Sequence, residues 1–355
     1  MLLATQPPLF AGAAEPDWVA KWIAERAARA DKKEQRQEST PDPEAQAKRA
    51  AAREAKVLAG VDQLELWLCD LLRLGISTAP AKDYAFWDGM AARLVDSQAG
   101  SLARMVRELA SLAASGSRWE ERFLHRVASL TLAIEGYRRA SSLPEELRAD
   151  VRNAIGFTVA QDDVLAREGV RDTWMVVGRS VDAEDRLLVQ RSWLQGRKTQ
   201  RTALILDFAA AGAPLNPSFP TGSAFVGEVV FFPGALPQRA LVKSRTPDGP
   251  FPPAALDLAA AHLTYRQALT ASPWVSGWPM QIAGAATYFD GSQFLLRDAA
   301  GFAVPLRAAP EAAWKLVAVS GGKPLTVFGE FDGARLRPLT LWNGATHSPL
   351  EERLS

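Results

Sequence analysis

Metal ligation, nucleophilic attack, phosphate cradling and nucleic-acid contact each demand particular residues at particular spacings, and this sequence offers fragments of each. Cys69, His125, His262 and His347 are the thiol and imidazoles. A structural zinc site closes every position with Cys or His at short spacing. These residues lie far apart on separate predicted elements, so one buried thiol and three ordinary histidines are expected. A serine nucleophile would need G-x-S-x-G and a dinucleotide site G-x-G-x-x-G after a strand; neither motif occurs. Gly321-Gly322-Lys323 hints at a phosphate loop, but Val317 stands where its first glycine belongs and Pro324 replaces the Ser/Thr, so a plain turn is expected.

Asp162, Asp163 and Asp207 are carboxylates that a cleft between the halves could use for catalysis, and the adjacent Asp162 and Asp163 could also chelate a hard cation. Acidic residues opening a short helix explain the first two as well. Arg191, Arg197, Lys198 and Arg201 surround Trp193, a mixture of cations and aromatic ring that can bind nucleic acid. An exposed hairpin has the same composition. Trp274 and Trp278 sit in SPWVSGWPM, where loop tryptophans either lock layers together or form a partner's pocket; the structural role is favoured.

The elements that must position these residues come next. VDQLELWLCDLLRLG carries Val61, Leu64, Leu68, Leu71 and Leu72 at helical spacing, widened by Trp67 and Leu74, and Gly75 closes the helix. Cys69 is expected to be buried beside Leu68 and Leu72. The helix starts near Pro43, with a solvated first half. Further helices are predicted over 83–96, 100–114, 117–141 and 144–156, after an earlier one that Asp17 caps. From 171 the pattern turns to strands: 173–181, 186–194, 203–208 and 225–232. Pro and Gly punctuate 233–253, and a helix over 256–271 has Leu256, Ala259, Ala260 and Leu263 on one face that fits on a sheet and Leu258, Tyr265 and Leu269 on the opposite side, where the helix can be covered too. Strands fill 282–342, with Asp290-Gly291 and Asp332-Gly333 as hairpin turns.

The fold class is therefore α+β: an N-terminal all-helical domain followed by a mainly antiparallel β domain with one helix. The domain layout is a lead-in over 1–15, a helical domain over 16–170 with a polar linker at 31–47, a β-rich domain over 171–345 and a tail over 346–355. The chain has 355 residues, 48% hydrophobic and 23% charged, with a net charge of +1, which disfavours a broadly electrostatic nucleic-acid surface. A single cysteine excludes an internal disulfide. No apolar run approaches a membrane span, and MLLATQPPLF lacks a basic n-region and a cleavage pattern, so a cytoplasmic protein is expected.

Several stretches together resemble the C-terminal body of the bacterial SWIM zinc finger family. They are Pro16-Asp17-Trp18-Val19 with Trp22, Leu64-Glu65-Leu66-Trp67-Leu68, AARLVDSQA over 91–99, VLAREGVRD over 164–172 leading to Trp174, VQRSWL over 189–194, Leu206-Asp207-Phe208 and FFPGA over 231–235. The likeness covers about residues 10–245. The family is named for a C-x-C-x(n)-C-x-H zinc site preceding such a body, and Met1-Leu2-Leu3 resembles the tail of the helix that follows it. The ligands are not in this sequence, so no cofactor is expected in the chain, although zinc belongs to complete family members. The resemblance implies possible zinc, DNA or protein binding for complete relatives and none of these for the residues here; the chain itself is expected to be a non-catalytic protein-interaction or scaffold module resembling the family's body, with an unnamed protein partner and no membrane. Nucleic-acid binding, through the basic patch or a finger encoded upstream, is the alternative; an enzyme using the clustered carboxylates is the second alternative.

Zinc needs deprotonated ligands within bonding distance of one another. The chain as written is expected to purify without stoichiometric zinc and to melt at the same temperature with and without a chelator. About one zinc per chain, with chelator-dependent loss of stability, contradicts this.

Overall fold

In a computed structural model of the chain, residues 43–116, 119–184, 187–210 and 212–350 are described. The helix expected after Asp17, the lead-in and the linker up to residue 42 lie outside them. The chain divides into two compact units, 1–59 and 60–355. The described part of the first is the opening of helix α1 (Pro43–Arg73), exposed along most of its length as its alanine- and charge-rich sequence predicts. The second holds everything that follows.

Along α1 the buried side chains are Val57, Val61, Leu64, Leu68 and Leu71. Their steps of four and three residues make a narrow seam rather than the broad stripe expected. Leu72 and Leu74 fall outside it and face solvent, and so does Cys69. The thiol is therefore not buried, and separation of the ligands, rather than burial, is what argues against zinc. Gly75, at φ 85°, turns the chain away as expected.

Helices α2 (Tyr84–Asp96), α3 (Gly100–Ala113), α4 (Trp119–Arg138) and α5 (Glu145–Ile155) follow close to their predicted spans. The Asp83 carboxylate caps α2 by accepting the Phe86 N–H at 2.9 Å. Each helix buries one face: Leu102, Val106 and Leu109 on α3, Phe123, Leu130 and Ile134 on α4, Val151 and Ile155 on α5. Edge-on rings link Trp87 to Trp67, Phe86 and Phe123. A short helix, α6 (Gln161–Leu165), ends the helical half.

The first sheet has strands β1 (Val170–Glu184), β2 (Leu187–Gly196), β3 (Thr202–Ala210), β4 (Ala224–Phe231) and β5 (Ala240–Asp248). Their order is β3-β2-β1-β4-β5, and all neighbours are antiparallel. Strand β5 falls where Pro and Gly pointed to loops. The sheet rolls up until the Leu204 N–H on one edge donates to the Gln238 carbonyl just before β5, at 2.7 Å. Trp174, Val176, Leu194, Ile205 and Phe231 fill the roll.

The second sheet has strands β6 (Trp278–Phe289), β7 (Phe294–Arg297), β8 (Ala303–Pro305), β9 (Leu325–Phe331), β10 (Leu336–Asn343) and β11 (Thr346–Pro349) in the order β11-β10-β9-β6-β7-β8. Strand β11 pairs with β10, so residues 346–349 belong to the sheet rather than to a tail. The expected helix, α7 (Leu258–Ala271), packs Leu258 and Ala261 into this sheet's core. Leu258 belongs to the second of the two apolar faces read in the sequence, and it is the one that packs, while Leu256 and Leu263 of the first are exposed. A second helix, α8 (Pro310–Ser320), replaces part of the strand run and contributes Leu316 to the same core. Both Asp-Gly pairs make hairpin turns. The Asp290 carboxylate accepts the Ser292 and Gln293 N–H groups and the Ser292 hydroxyl, which hold its pKa at about 2. Asp332 accepts the Ala334 and Arg335 N–H groups in the same manner.

β1 is buried on both faces. Trp174 and Val176 point into the roll, while Met175 and Val177 join Trp193, Phe328, Leu339 and Trp342 in a core between the sheets. A bulge at Gly178 brings backbone against the Phe328 ring, and a Cβ there would overlap that ring. Gly178→Ala is therefore expected to lower the free energy of unfolding by about 1–3 kcal/mol in urea titration, because this buried ring has little room to move. An unchanged midpoint contradicts the close approach.

Candidate interaction surface

The basic patch expected around Trp193 comes apart in the structure. Arg191 and Trp193 are two apart on β2, so they share a face, and that face turns toward the second sheet. Trp193 is 1% exposed and its Nε1–H donates to Glu330 Oε1 at 2.7 Å. Arg191 donates to Asp182 and Glu184, each at 2.7 Å. Neither side chain is available to nucleic acid or partner, which corrects the expectation for this pair. The tryptophan was itself the signal, since a large ring in an alternating strand usually marks the buried face.

Arg197, Lys198 and Arg201 remain exposed on the β2–β3 hairpin. Arg197 lies over Phe251 at 5.4 Å and Arg201 over Phe231 at 4.3 Å. The loop is shaped by Asp172, whose carboxylate accepts N–H groups from Thr173, Lys198 and Thr199 and the Thr199 hydroxyl. Burial acts to raise this carboxyl's pKa, but those donors outweigh it and hold it below the usual range.

Trp274 donates to the Ser129 carbonyl on α4 at 3.1 Å and so ties the helical half to the loop after α7. Trp278 opens β6 and packs on the second sheet's core. Asp162 and Asp163 open α6, while Asp207 accepts from the Asn216 amide at 2.8 Å on β3. Gly321 and Gly322 take positive φ where α8 ends, so that stretch is a turn. His262 stands edge-on to Phe331, and burial lowers its pKa; His347 lies over Trp342. Among the described residues no three His, Cys, Asp or Glu side chains are grouped to hold a metal ion.

What the basic residues do instead is join the sheets. Asp182 on β1 accepts Arg191 from β2 and Arg337 from β10, the latter at 2.8 Å. Arg337 also stands 4.0 Å from Glu330, the acceptor of Trp193. Burial disfavours charge on Arg191, yet Glu184, Asp182 and Glu330 outweigh it and raise its pKa.

Arg337 then forms the inner wall of an open hollow of about 360 Å³, lined also by Arg307, Arg335, Asp182 and Ala309. Arg307 and Arg335 are exposed, with Asp332 3.8 Å from Arg307. Leu306 and Ala308 separate this hollow from a second one of about 420 Å³, lined by Phe289, Phe294, Pro310 and Trp314. The rings of Phe289 and Phe294 lie 4.9 Å apart, and that of Trp314 is 5.1 Å from Phe294. Trp314 is 55% exposed and Phe289 45%. Clustered exposed rings of this kind mark binding surfaces more often than scattered ones do.

Sequence reasoning passed over this site because Trp314 was placed in a strand. A signal was present: Pro310-Glu311 followed by Gly321 has proline just inside a helix start and glycine just past its end.

A family model, the SWIM-associated four-helix bundle domain, matches residues 52–155. The resemblance drawn from the sequence is thereby borne out for the helical half. No curated protein and no solved structure matches the chain.

Proposed function

We propose that this chain, with a SWIM-associated four-helix bundle over residues 52–155, is a non-catalytic interaction module whose partner is a protein. The observation that carries the reading is the aromatic shelf of Phe289, Phe294 and Trp314 beside the arginine-walled hollow. A partner side chain entering the shelf would release water from three rings at once, the arrangement in which a few residues supply most of the affinity. Rigid strands and one helix carry the shelf, so little ordering accompanies docking. No described helix is long and apolar enough to cross a membrane; a cytoplasmic setting fits the reading.

Nucleic acid is the second reading, supported by Arg197, Lys198 and Arg201 standing exposed on one hairpin. Without Trp193 that loop offers charge but no solvent-facing ring of its own, and phosphate contact alone is sequence-blind.

The two readings separate in one pull-down from the source cell, comparing the intact chain with Trp314→Ala and with charge reversal at Arg197, Lys198 and Arg201. The expected outcome is a protein retained by the intact chain and by the charge-reversed variant but lost with Trp314→Ala. A retained set that is identical for all three forms contradicts the proposal. Salt-released nucleic acid, lost only on charge reversal, would transfer the function to the hairpin.

A further inference from the structure

The two hollows touch along the segment Leu306–Ala308, and their contrasting walls say what kind of chain would lie across them. This rests on the interaction reading above and adds the partner's chemistry. The ridge between them is held in place. The Leu306 N–H donates to the Phe294 carbonyl and the Arg307 N–H to the Leu336 carbonyl, both at 2.8 Å. On one side lie Phe289, Phe294 and Trp314, with room for a large apolar side chain. On the other are three guanidinium groups and one wall carboxylate, Asp182, which already accepts Arg337 and Arg191. Arg337 is thus committed to the sheets, whereas Arg307 and Arg335 stand at the surface.

A third feature points the same way. Helix α8 begins on the ridge, with Ala309 lining the basic hollow and Pro310 the aromatic one. Ala309 offers no side-chain cap, so the first-turn N–H groups lack the acceptor that a Ser or Asp would supply. Their dipole adds to the arginines in favouring an anion there. Glu311 in the same turn and Asp332 beside Arg307 are the acids of this rim. With Arg337 taken by Asp182 and Asp332 beside Arg307, the positive charge the hollow offers a ligand is that of Arg335 together with Arg307.

We propose that the paired hollows bind an extended acidic peptide segment of a partner protein. A bulky apolar side chain lodges against Trp314 and Phe289, and an Asp or Glu carboxylate a few residues along the chain reaches Arg307 and Arg335. Carboxylates suit planar guanidinium groups because two N–H donors can meet two oxygens. The hollows are open and lie side by side, a shape that fits a chain crossing the ridge.

The test is selection from a random-sequence peptide display library on the intact chain, followed by affinity measurement of the enriched peptides by fluorescence polarisation. The expected consensus is an aromatic or large aliphatic residue with Asp or Glu within a few positions. For such a peptide Arg307→Gln with Arg335→Gln is expected to weaken binding about tenfold or more, and raising the salt to weaken it in the intact chain alone. Trp314→Ala is expected to abolish binding. The arginines and Trp314 are surface residues, and an unchanged thermal melt verifies that each variant is folded. A neutral or basic consensus that still needs Trp314 overturns the acidic partner and leaves the interaction module standing. Peptides that bind regardless of Trp314, or no enrichment at all, overturn both.

Discussion

Asp182 is shared between two arginines that belong to different sheets, and the arrangement of the β half follows from satisfying it. Its carboxylate sits where β1 faces the second sheet, and Arg191 from β2 and Arg337 from β10 converge on it. The Arg337 and Glu330 side chains, 13% and 7% exposed, are largely removed from water, where charge is tolerated only when paired and hydrogen-bonded. The register in which β10 lies against β1 must therefore bring Arg337 to Asp182 while Trp193 reaches Glu330. Desolvation offsets much of the attraction in such a network, so its main effect is to choose one packing of the sheets over others. The apolar contacts of Trp193, Phe328 and Trp342 around it favour burial without choosing a register.

The same arginine connects fold to surface. Arg337 is held by Asp182 and near Glu330 on its inner side, and on its outer side it walls the hollow beside the aromatic shelf. The network thus fixes the position of the hairpin that carries Arg335 and of the segment carrying Arg307. The helical half is organised differently, through the narrow α1 seam and the edge-on rings around Trp87. Trp274 on Ser129 joins it to the β half, and Arg104 on α3 approaches Glu184 to 4.0 Å.

Much of this was legible in the residues, for physical reasons. Helices α1 to α5 each carry a one-sided apolar pattern, and the strands of the first sheet carry β-branched and aromatic runs, so local periodicity located them. The Asp-Gly turns could be read because Gly291 and Gly333 take positive φ and the aspartates close their own loops. What failed was anything set by long-range contact. Cys69 looked buried because its neighbours are leucines, yet the seam passes on the other side of the helix. Arg191 and Trp193 looked like a solvent patch because their partners, Glu330 and Asp182, lie far away in sequence or across a hairpin. The aromatic shelf joins Phe289, Phe294 and Trp314 from three elements, and no single window of sequence contains it.

The account stands on the claim that buried polar bonds set how the sheets meet, and Trp193–Glu330 is the side-chain pair that a double-mutant cycle can isolate from its neighbours. A double-mutant cycle in urea with Trp193→Phe and Glu330→Ala measures that bond directly, since phenylalanine keeps an aromatic ring in the core and removes the donor. A hydrogen bond to a buried charge predicts a coupling energy of about 1.5–3 kcal/mol between the two sites. Substitutions that add within about 0.5 kcal/mol would contradict it, showing that this buried bond does not couple the two sheets.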